Sequence, residues 1–241
     1  MNSKQRGTEA STAASASIAR PTRSYDASGR QAEAALRRAR IVDAARELFL
    51  QQGYGATSIA AIAERAGVSA PTVYAQFESK AGILARVVFV AVAGDHEEAG
   101  LARERPDVAV AFGPGLPASD RIRAMARYAR LTNERSARLV ALAESVAGTD
   151  EAVAALTTEL RDGSRADAIA AAHAFAPGEL RPDLDVEAVA DLLWTVGGSL
   201  TYNLLVHHVG HTPDEYEGWL VATMSALMLP AFGDGPMSRP R

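Results

Sequence analysis

The chain contains no cysteine among its 241 residues, which excludes disulfide bonds and thiolate metal sites. No apolar run approaches the ~20 residues that a membrane-spanning helix needs. The longest such run, over residues 83–93, contains Arg86. A Gly-rich phosphate loop, a nucleophile elbow, a His-Glu-x-x-His motif and the Glu-x-x-His pairs of a helical di-iron bundle are also missing. We therefore expect neither an enzyme nor a membrane protein, and we expect no cofactor.

Charge is unevenly distributed along the chain. Lysine occurs only at Lys4 and Lys80, and arginine supplies the other cations. Residues 1–80 carry 11 Lys and Arg against 7 Asp and Glu, whereas the remaining residues carry 14 against 22. A basic N-terminal part suits contact with phosphates. A protein that coats DNA without sequence preference would be more uniformly basic than this acidic remainder allows.

The apolar pattern predicts an all-α fold, because it shows helical spacing, no strand-like alternation and no internal repeat. The longer helices are expected over residues 34–52, 79–101, 120–132, 136–147, 150–175, 185–208 and 213–229. The last helix has the clearest start, since Thr212-Pro213-Asp214-Glu215 is a capping box with proline in the first turn. A loop is expected over residues 105–118, and a flexible tail over residues 231–241.

The first residues of the chain predict a disordered basic tail, residues 1–33, because they are rich in Ser, Ala, Thr and Arg and show no apolar periodicity. The alternative is an arm that contacts phosphates or the minor groove. Its arginines would be Arg20, Arg23, Arg30, Arg37 and Arg38.

Two short helices are expected between residues 57 and 77. Gly67 can adopt the left-handed conformation that ends a helix. Ser69 can then cap the next helix, and Pro71 fits its first turn. Val73 and Phe77, four residues apart, would anchor the inner side of that helix. Two short helices joined by so tight a turn are typical of a helix-turn-helix motif.

This part of the sequence resembles the DNA-binding domain of the TetR family of bacterial transcriptional regulators. The matching positions are Arg40-Ile41-Val42-Asp43-Ala44-Ala45, Leu48-Phe49, Gly53-Tyr54, Thr57-Ser58, Ile62-Ala63, Ala66-Gly67-Val68-Ser69, Val73-Tyr74, Phe77 and Ser79-Lys80. The resemblance implies a helix-turn-helix domain over residues 34–80. It also implies a helical ligand-binding and dimerisation domain over residues 81–230.

The resemblance implies a DNA-facing surface formed by Thr57, Ser58, Ser69, Ala70, Pro71, Thr72, Tyr74, Gln76 and Lys80. Thr57 and Ser58 would place a helix N-terminus near a phosphate, and Lys80 would contact the backbone as a point charge. The alternatives are that Thr72 only supports a cap and that Tyr74 packs partly inside. Gln76 could bond adenine, although in this family that position more often meets the DNA backbone.

A dimer interface is expected on the last two helices, where apolar residues recur at helical spacing. Gly197 and Gly198 are expected in mid-helix, where glycine often permits close approach of another backbone. The resemblance implies a four-helix interface, and its candidate residues are Val189, Leu193, Val196, Gly197, Leu200, Leu204, Leu220, Met224 and Leu227. The alternative is an ordinary core within one chain, which periodicity cannot distinguish.

The resemblance also implies an effector cavity in the C-terminal domain. Its candidate lining residues are Tyr128, His173, Phe175, Trp194, Tyr202 and Asn203, and a packed core is an equal alternative for each. No metal site is expected, because His207 and His211 lie at a helix end whose dipole alone accounts for histidine.

The sequence therefore predicts a cytoplasmic, ligand-released repressor that binds a palindromic double-stranded DNA operator as a homodimer. Its effector would be an unidentified small molecule. The alternatives are an activator, or a regulator of the same fold that a partner protein controls.

Overall fold

The computed structural model describes residues 27–94 and 115–230, and every regular element in these ranges is a helix, which confirms the all-α prediction. Three predicted segments lie wholly or mostly outside the described residues. They are the N-terminal tail at residues 1–26, the loop at residues 105–114 and the C-terminal tail at residues 231–241. No helix within the described ranges is long and apolar enough to cross a bilayer.

The helices occur in the following order. They are α1 (Ala27–Ala56), α2 (Ile59–Ala66), α3 (Ala70–Phe77), α4 (Lys80–Ala93), α5 (Ala118–Val146), α6 (Glu151–Ala172), α7 (Val186–Gly197), α8 (Ser199–Tyr202), a π-helical segment (Asn203–Val209) and α9 (Pro213–Met228). We call α1–α4 the N-terminal region and α5–α9 the C-terminal region.

Serine caps begin the three helices that follow α1. The hydroxyl oxygens of Ser58, Ser69 and Ser79 accept hydrogen bonds from backbone N–H groups at the starts of α2, α3 and α4. Gly67 ends α2 with φ 67° and ψ 38°, the left-handed conformation expected there. The predicted turn between α2 and α3 is confirmed.

Helix α1 begins earlier than the sequence predicted. It starts at Ala27, so residues 27–33 are helical rather than part of a disordered tail. This stretch has no apolar face to bury and its described residues are exposed, which is why periodicity did not detect it. Its regular course ends at Gly53, whose φ of 81° and ψ of 168° are not helical.

Helix α4 ends at Ala93, and residues 95–101 of the helix predicted to run to Leu101 lie outside the described residues. Gly94 adopts φ 89° and donates a backbone hydrogen bond to the carbonyl of Val90, which closes the last turn. The guanidinium of Arg135 on α5 donates to the carbonyls of Ala91 and Val92 in that same turn.

Helix α5 is continuous, whereas the sequence predicted a break between Thr132 and Ser136. The polar residues of this stretch have partners that keep the helix intact. Asn133 donates to the carbonyl of Gly197 at 2.8 Å, and Ser136 donates to the carbonyl of Thr132 one turn back at 2.8 Å. Since no glycine or proline lies in this stretch, polarity alone gave the wrong prediction.

The predicted helix over residues 185–208 is broken in the structure. Gly198 is extended, with φ −76° and ψ 165°, and it separates α7 from α8. A Cβ at Gly198 would overlap the carbonyl oxygen of Trp194, so no larger side chain fits here without movement. Helix α8 continues as the π-helical segment until Gly210, whose φ is 95°. The glycine pair is therefore a helix break, not a mid-helix contact.

The described residues form two apolar cores that share the long helix α5. One core joins the N-terminal region to Leu139, Ala143 and Val153, and its largest buried side chains include Phe49, Ile62 and Leu84. The other lies among α5–α9 and contains Ile122, Tyr202, Tyr216, Leu220 and Met228. The helix-turn-helix is thus mounted on the end of α5 and the start of α6.

Candidate nucleic-acid interface

Helix α3 has an anchored side and a free side. Val73 and Phe77 are buried in the N-terminal core, as the sequence predicted. Tyr74, one position after Val73, is 53% exposed, and Pro71 and Ala75 are exposed beside it. A helix fixed on one side with a largely open opposite side is the arrangement needed to enter a major groove.

The start of α3 is held by Ser69 and Thr72. Ser69 Oγ accepts a hydrogen bond from the backbone N–H of Thr72 at 3.4 Å, and the two hydroxyl oxygens lie 2.8 Å apart. Ser69 is exposed and Thr72 is half-buried. Both hydroxyls therefore serve the cap, and Thr72 has a structural role as well as a place at the edge of the open side.

Two other predicted contact residues are less accessible. Ala70 is half-buried and packs against the N-terminal core. Gln76 is also half-buried, and its Oε1 is enclosed without a hydrogen-bond partner among the described residues. The open side of α3 is consequently centred on Pro71, Tyr74 and Ala75.

Thr57 and Ser58 do not share one environment. Thr57 is only 1% exposed, and its hydroxyl donates to the carbonyl of Gly53 at 2.8 Å. Ser58 is exposed and caps α2 through the N–H of Ala61. The prediction that Thr57 faces DNA is wrong, because its side chain closes the turn after α1. Because Ser58 lies exposed at the N-terminus of α2, its contact with a phosphate stays a prediction.

Lys80 is engaged within the protein. Its Nζ donates to the carbonyls of Tyr54 and Thr57, at 2.8 and 3.1 Å, and lies 4.2 Å from the centre of the Tyr54 ring. The ammonium thus braces the turn between α1 and α2. The sequence predicted that the Lys80 side chain is available to a DNA phosphate. The structure corrects this prediction, because the ammonium is partly buried and bonded within the protein.

Gly82 is a structural residue of this site that the sequence reasoning did not single out. A Cβ at this position would overlap the carbonyl oxygen of Phe77 at the end of α3. The turn between the two helices is tight, and its Glu78 adopts a positive φ of 58°. The sequence did offer one signal of this close contact. Gly82 stands in the first turn of α4, where alanine would favour the helix more than glycine does.

The candidate residues of the predicted dimer interface fall into a buried group and an exposed group. Val189, Leu193, Leu220 and Met224 are buried in their own chain's core, so the expectation that they form an interface is wrong. Gly197 packs against Met224 and Ala129 of the same chain, and Val196 is half-buried beside that core. Leu200 is 79% exposed, Leu204 is 55% exposed, and Leu227 is also exposed.

The predicted effector residues do not line one cavity in the described part of the chain. Tyr202 is buried with its ring 4.9 Å from that of Tyr216, and Trp194 Nε1 donates to Ser164 Oγ at 2.9 Å. Phe175 lies beneath the Arg121 guanidinium at 5.0 Å. Tyr128 is half-buried, and His173 is exposed at the end of α6. These five residues therefore pack within the chain or lie apart from one another.

Asn203 lines a shallow groove of about 360 Å³ between α5 and the π-helical segment. Arg138, His207 and His208 also line it. Partial burial, followed by the charges of Arg138 and His208, lowers the pKa of His207 below its ordinary value. No group of three metal-binding side chains occurs in the part of the chain described here.

The geometry of α2 and α3 defines the class of protein. A short helix, a left-handed glycine turn and a second helix anchored on one side form a helix-turn-helix, which is followed by a larger helical region.

Comparison with known proteins matches the helix-turn-helix region to a family. Residues 41–87 match the model of bacterial regulatory proteins of the tetR family. Over 47 residues the chain is 47% identical to the HTH-type transcriptional repressor ComR and 43% identical to the HTH-type transcriptional repressor BdcR, both of Escherichia coli (strain K12). These matches cover 20% of this chain and only 22% and 24% of the two relatives.

Solved structures extend the likeness to most of the chain. A transcriptional regulator of the TetR/AcrR family from Thermobifida fusca is 28% identical with a TM-score of 0.56, covering 78% of this chain and 96% of that one. NalD, the secondary repressor of the MexAB-OprM multidrug efflux pump in Pseudomonas aeruginosa, is 18% identical with a TM-score of 0.63, covering 83% and 100%. Residues 41–87 therefore match the DNA-binding domain of the tetR family, and the described chain shares the fold of solved TetR-family regulators.

A third solved structure carries a bound small molecule. This protein of Saccharomonospora viridis, described as a transcriptional regulator in complex with choline, is 20% identical with a TM-score of 0.60, covering 80% of this chain and 97% of that one. At this identity the likeness concerns the fold.

Proposed function

We propose that this chain is a sequence-specific DNA-binding repressor of the bacterial cytoplasm that binds a palindromic operator as a homodimer and leaves it when a small effector binds. The observation that carries the proposal is the open side of α3. Val73 and Phe77 fix the helix from within, and Tyr74 stands exposed between them in sequence. An exposed aromatic residue on an anchored recognition helix is accounted for by a groove that covers it.

The proposed DNA contacts fall into two groups. Some position the protein on the DNA backbone, and others recognise the bases. Ser58 and the first N–H groups of α2 would bind one phosphate, aided by the helix dipole. Ser69 and the Tyr74 hydroxyl would bind the backbone on the other side of the groove. Pro71 and Ala75 can offer only apolar contacts, which suit thymine methyl groups. Direct base recognition by this helix is therefore sparse, and DNA shape would contribute to specificity.

A homodimer is supported by exposed leucines on α8 and the π-helical segment. One α3 covers only a few base pairs, so two related by a dyad are needed for affinity and for a palindromic site. Leu200 on α8 and Leu204 on the π-helical segment are four residues apart and exposed, and the exposed Val209 follows them. Apolar side chains so exposed favour burial against a second copy.

Thermodynamic linkage between effector binding and DNA binding would account for release of the protein from its operator. A ligand can lower DNA affinity only by its preference for one of two conformations, typically about 1–3 kcal/mol of coupling. The choline complex of the Saccharomonospora viridis protein supports a small molecule as the effector class. ComR, BdcR and NalD are repressors, which favours repression here.

The test is selection of binding sites from random double-stranded DNA by the purified protein, followed by a reporter driven through the selected site. We expect a palindromic consensus and lower reporter output when the protein is present. Higher output would make it an activator, and enrichment of no sequence would overturn the proposal of specific recognition.

A further inference from the structure

A hydrogen bond joins the helix-turn-helix to the C-terminal region. The hydroxyl of Tyr54, which follows Gly53 in the last turn of α1, donates to Asp150 Oδ2 at 2.9 Å. Asp150 is also the N-cap of α6, because its Oδ1 accepts from the N–H groups of Ala152 and Val153 at 3.1 and 3.3 Å. One carboxylate therefore holds both the start of α6 and the turn that leads into α2.

Tyr54 is held from its other sides as well. Its ring lies 5.6 Å from the ring of Phe49, and the ammonium of Lys80 lies over it at 4.2 Å. Burial first, and then the bond to Asp150, raise the pKa of Tyr54 far above its ordinary value. The hydroxyl consequently remains a neutral donor to a carboxylate, and such charge-assisted bonds are stronger than neutral ones.

The position of this bond relates it to DNA. Tyr54 lies four residues before Ser58, the N-cap of α2, and Thr57 between them is buried and bonded to Gly53. A shift of α6 would pull directly on this turn and so on the helix-turn-helix. The N-terminal core is also packed against Val153 in the first turn of α6, so the bond lies at the edge of a shared apolar contact.

We propose that Tyr54 and Asp150 form a latch that fixes the orientation of the helix-turn-helix on α6 and thereby selects the spacing of operator half-sites. This inference rests on the proposed function. Both are positioning residues, since neither belongs to the open side of α3. One inserted base pair moves a half-site by 3.4 Å and rotates it by about 35°, so only a rigidly held helix-turn-helix discriminates against it.

Two substitutions remove the latch while preserving its surroundings. Tyr54→Phe deletes only the hydroxyl and keeps the ring beside Phe49 and Lys80. Asp150→Ser keeps an N-cap for α6 but is too short to accept from Tyr54. The matched control is Asp185→Ser, because Asp185 caps α7 through Ala188 N at 2.8 Å and its described hydrogen bonds include no tyrosine.

The measurement is the dissociation constant for the selected operator and for versions with one base pair added or removed between the half-sites. We expect wild type and Asp185→Ser to lose at least tenfold in affinity on altered spacing. Tyr54→Phe and Asp150→Ser should lose less than about threefold, because their helix-turn-helix can reorient. Both variants should keep the consensus sequence of the wild type.

Three outcomes are distinguishable. If both variants discriminate against altered half-site spacing as strongly as the wild type does, the latch is overturned and the proposed function stays intact. A wild type that binds its consensus but ignores spacing also overturns the latch, because the helix-turn-helix is then not rigidly held. A wild type with no preferred sequence overturns the proposed function, and the latch with it.

Discussion

The N-terminal and C-terminal regions are specified in different ways. In α2–α4 each helix begins at a serine cap and packs its apolar face into a closed core, so local sequence signals and tertiary packing agree. In α7 and α8 the helix is broken, turns π-helical and leaves Leu200 and Leu204 uncovered. The helices α2–α4 are regular and begin at local caps, whereas α7, α8 and the π-helical segment are irregular and leave the most exposed leucine of the described chain, Leu200, at their surface.

Buried polar groups show the same contrast. Of the buried polar side chains described, Thr57 lies in the N-terminal region, while Arg121, Asn133, Ser136 and Thr157 lie in the C-terminal region. Two amides hold the irregular segment to α5, since Asn133 donates to Gly197 and Asn203 donates to Ala137. The C-terminal helices depend on specific long-range hydrogen bonds, and a change there can alter their arrangement without unfolding the helix-turn-helix.

The largest expected effect comes from removing the centre of the N-terminal core. Phe49→Ala deletes a buried ring and should lower the free energy of unfolding by about 3–5 kcal/mol, because it leaves a cavity. The control is Leu200→Ala, which should change the unfolding of the diluted chain by less than about 0.5 kcal/mol. Urea unfolding measures both, and equal losses would contradict the contrast between the regions.

The next effect tests the tight contact between α3 and α4. Gly82→Ala should destabilise the chain by about 1–3 kcal/mol, because its Cβ would meet the carbonyl of Phe77. Gly163 lies in α6 with open space around it, so Gly163→Ala should stabilise by about 0.5–1 kcal/mol. Thermal unfolding gives the signs, and a stabilised Gly82→Ala variant would refute the close approach.

A smaller effect separates folding from DNA contact at the start of α3. Ser69→Ala removes the cap and should cost about 1 kcal/mol. Ser69→Asp keeps a capping oxygen, so stability should stay near wild type, but its charge would repel phosphate and weaken operator binding. Unfolding and binding are measured on the same samples. Unchanged DNA affinity of Ser69→Asp would remove Ser69 from the interface.

The smallest effect on the folded chain is expected at the exposed leucines. Leu204→Ser should leave the unfolding of the dilute chain nearly unchanged and raise the dimer dissociation constant at least tenfold. Sedimentation velocity across a concentration series measures this. A variant that dimerises like wild type would place the interface elsewhere.

The sequence predicted the helix-turn-helix closely because its signals are local. Ser69, Gly67 and the Val73–Phe77 pair act within a few residues, and each is confirmed by the structure. Thr57 and Lys80 were assigned to DNA because the family resemblance implies that these positions face it. Whether their side chains turn inward depends on the carbonyls of Gly53, Tyr54 and Thr57 itself, which only the folded turn brings within reach.

The C-terminal region was predictable in helix content but not in detail. Periodicity detected Val189, Leu193, Leu220 and Met224 as apolar, yet it could not say whether their own chain or a second copy covers them. The break at Gly198 lies beside a long-range contact, because Asn133 on α5 donates to the carbonyl of Gly197. Such contacts between distant residues leave no periodic signal in either segment.

The central claim is that the open side of α3 recognises DNA, and a binding titration of wild type and Tyr74→Ala against the selected operator and a scrambled duplex tests it most directly. We predict that wild type prefers the operator at least about a hundredfold at 0.15 M salt. Tyr74→Ala should lose at least tenfold in operator affinity with an unchanged unfolding midpoint. Equal affinity of wild type for both duplexes, or undiminished binding by Tyr74→Ala, would contradict the account.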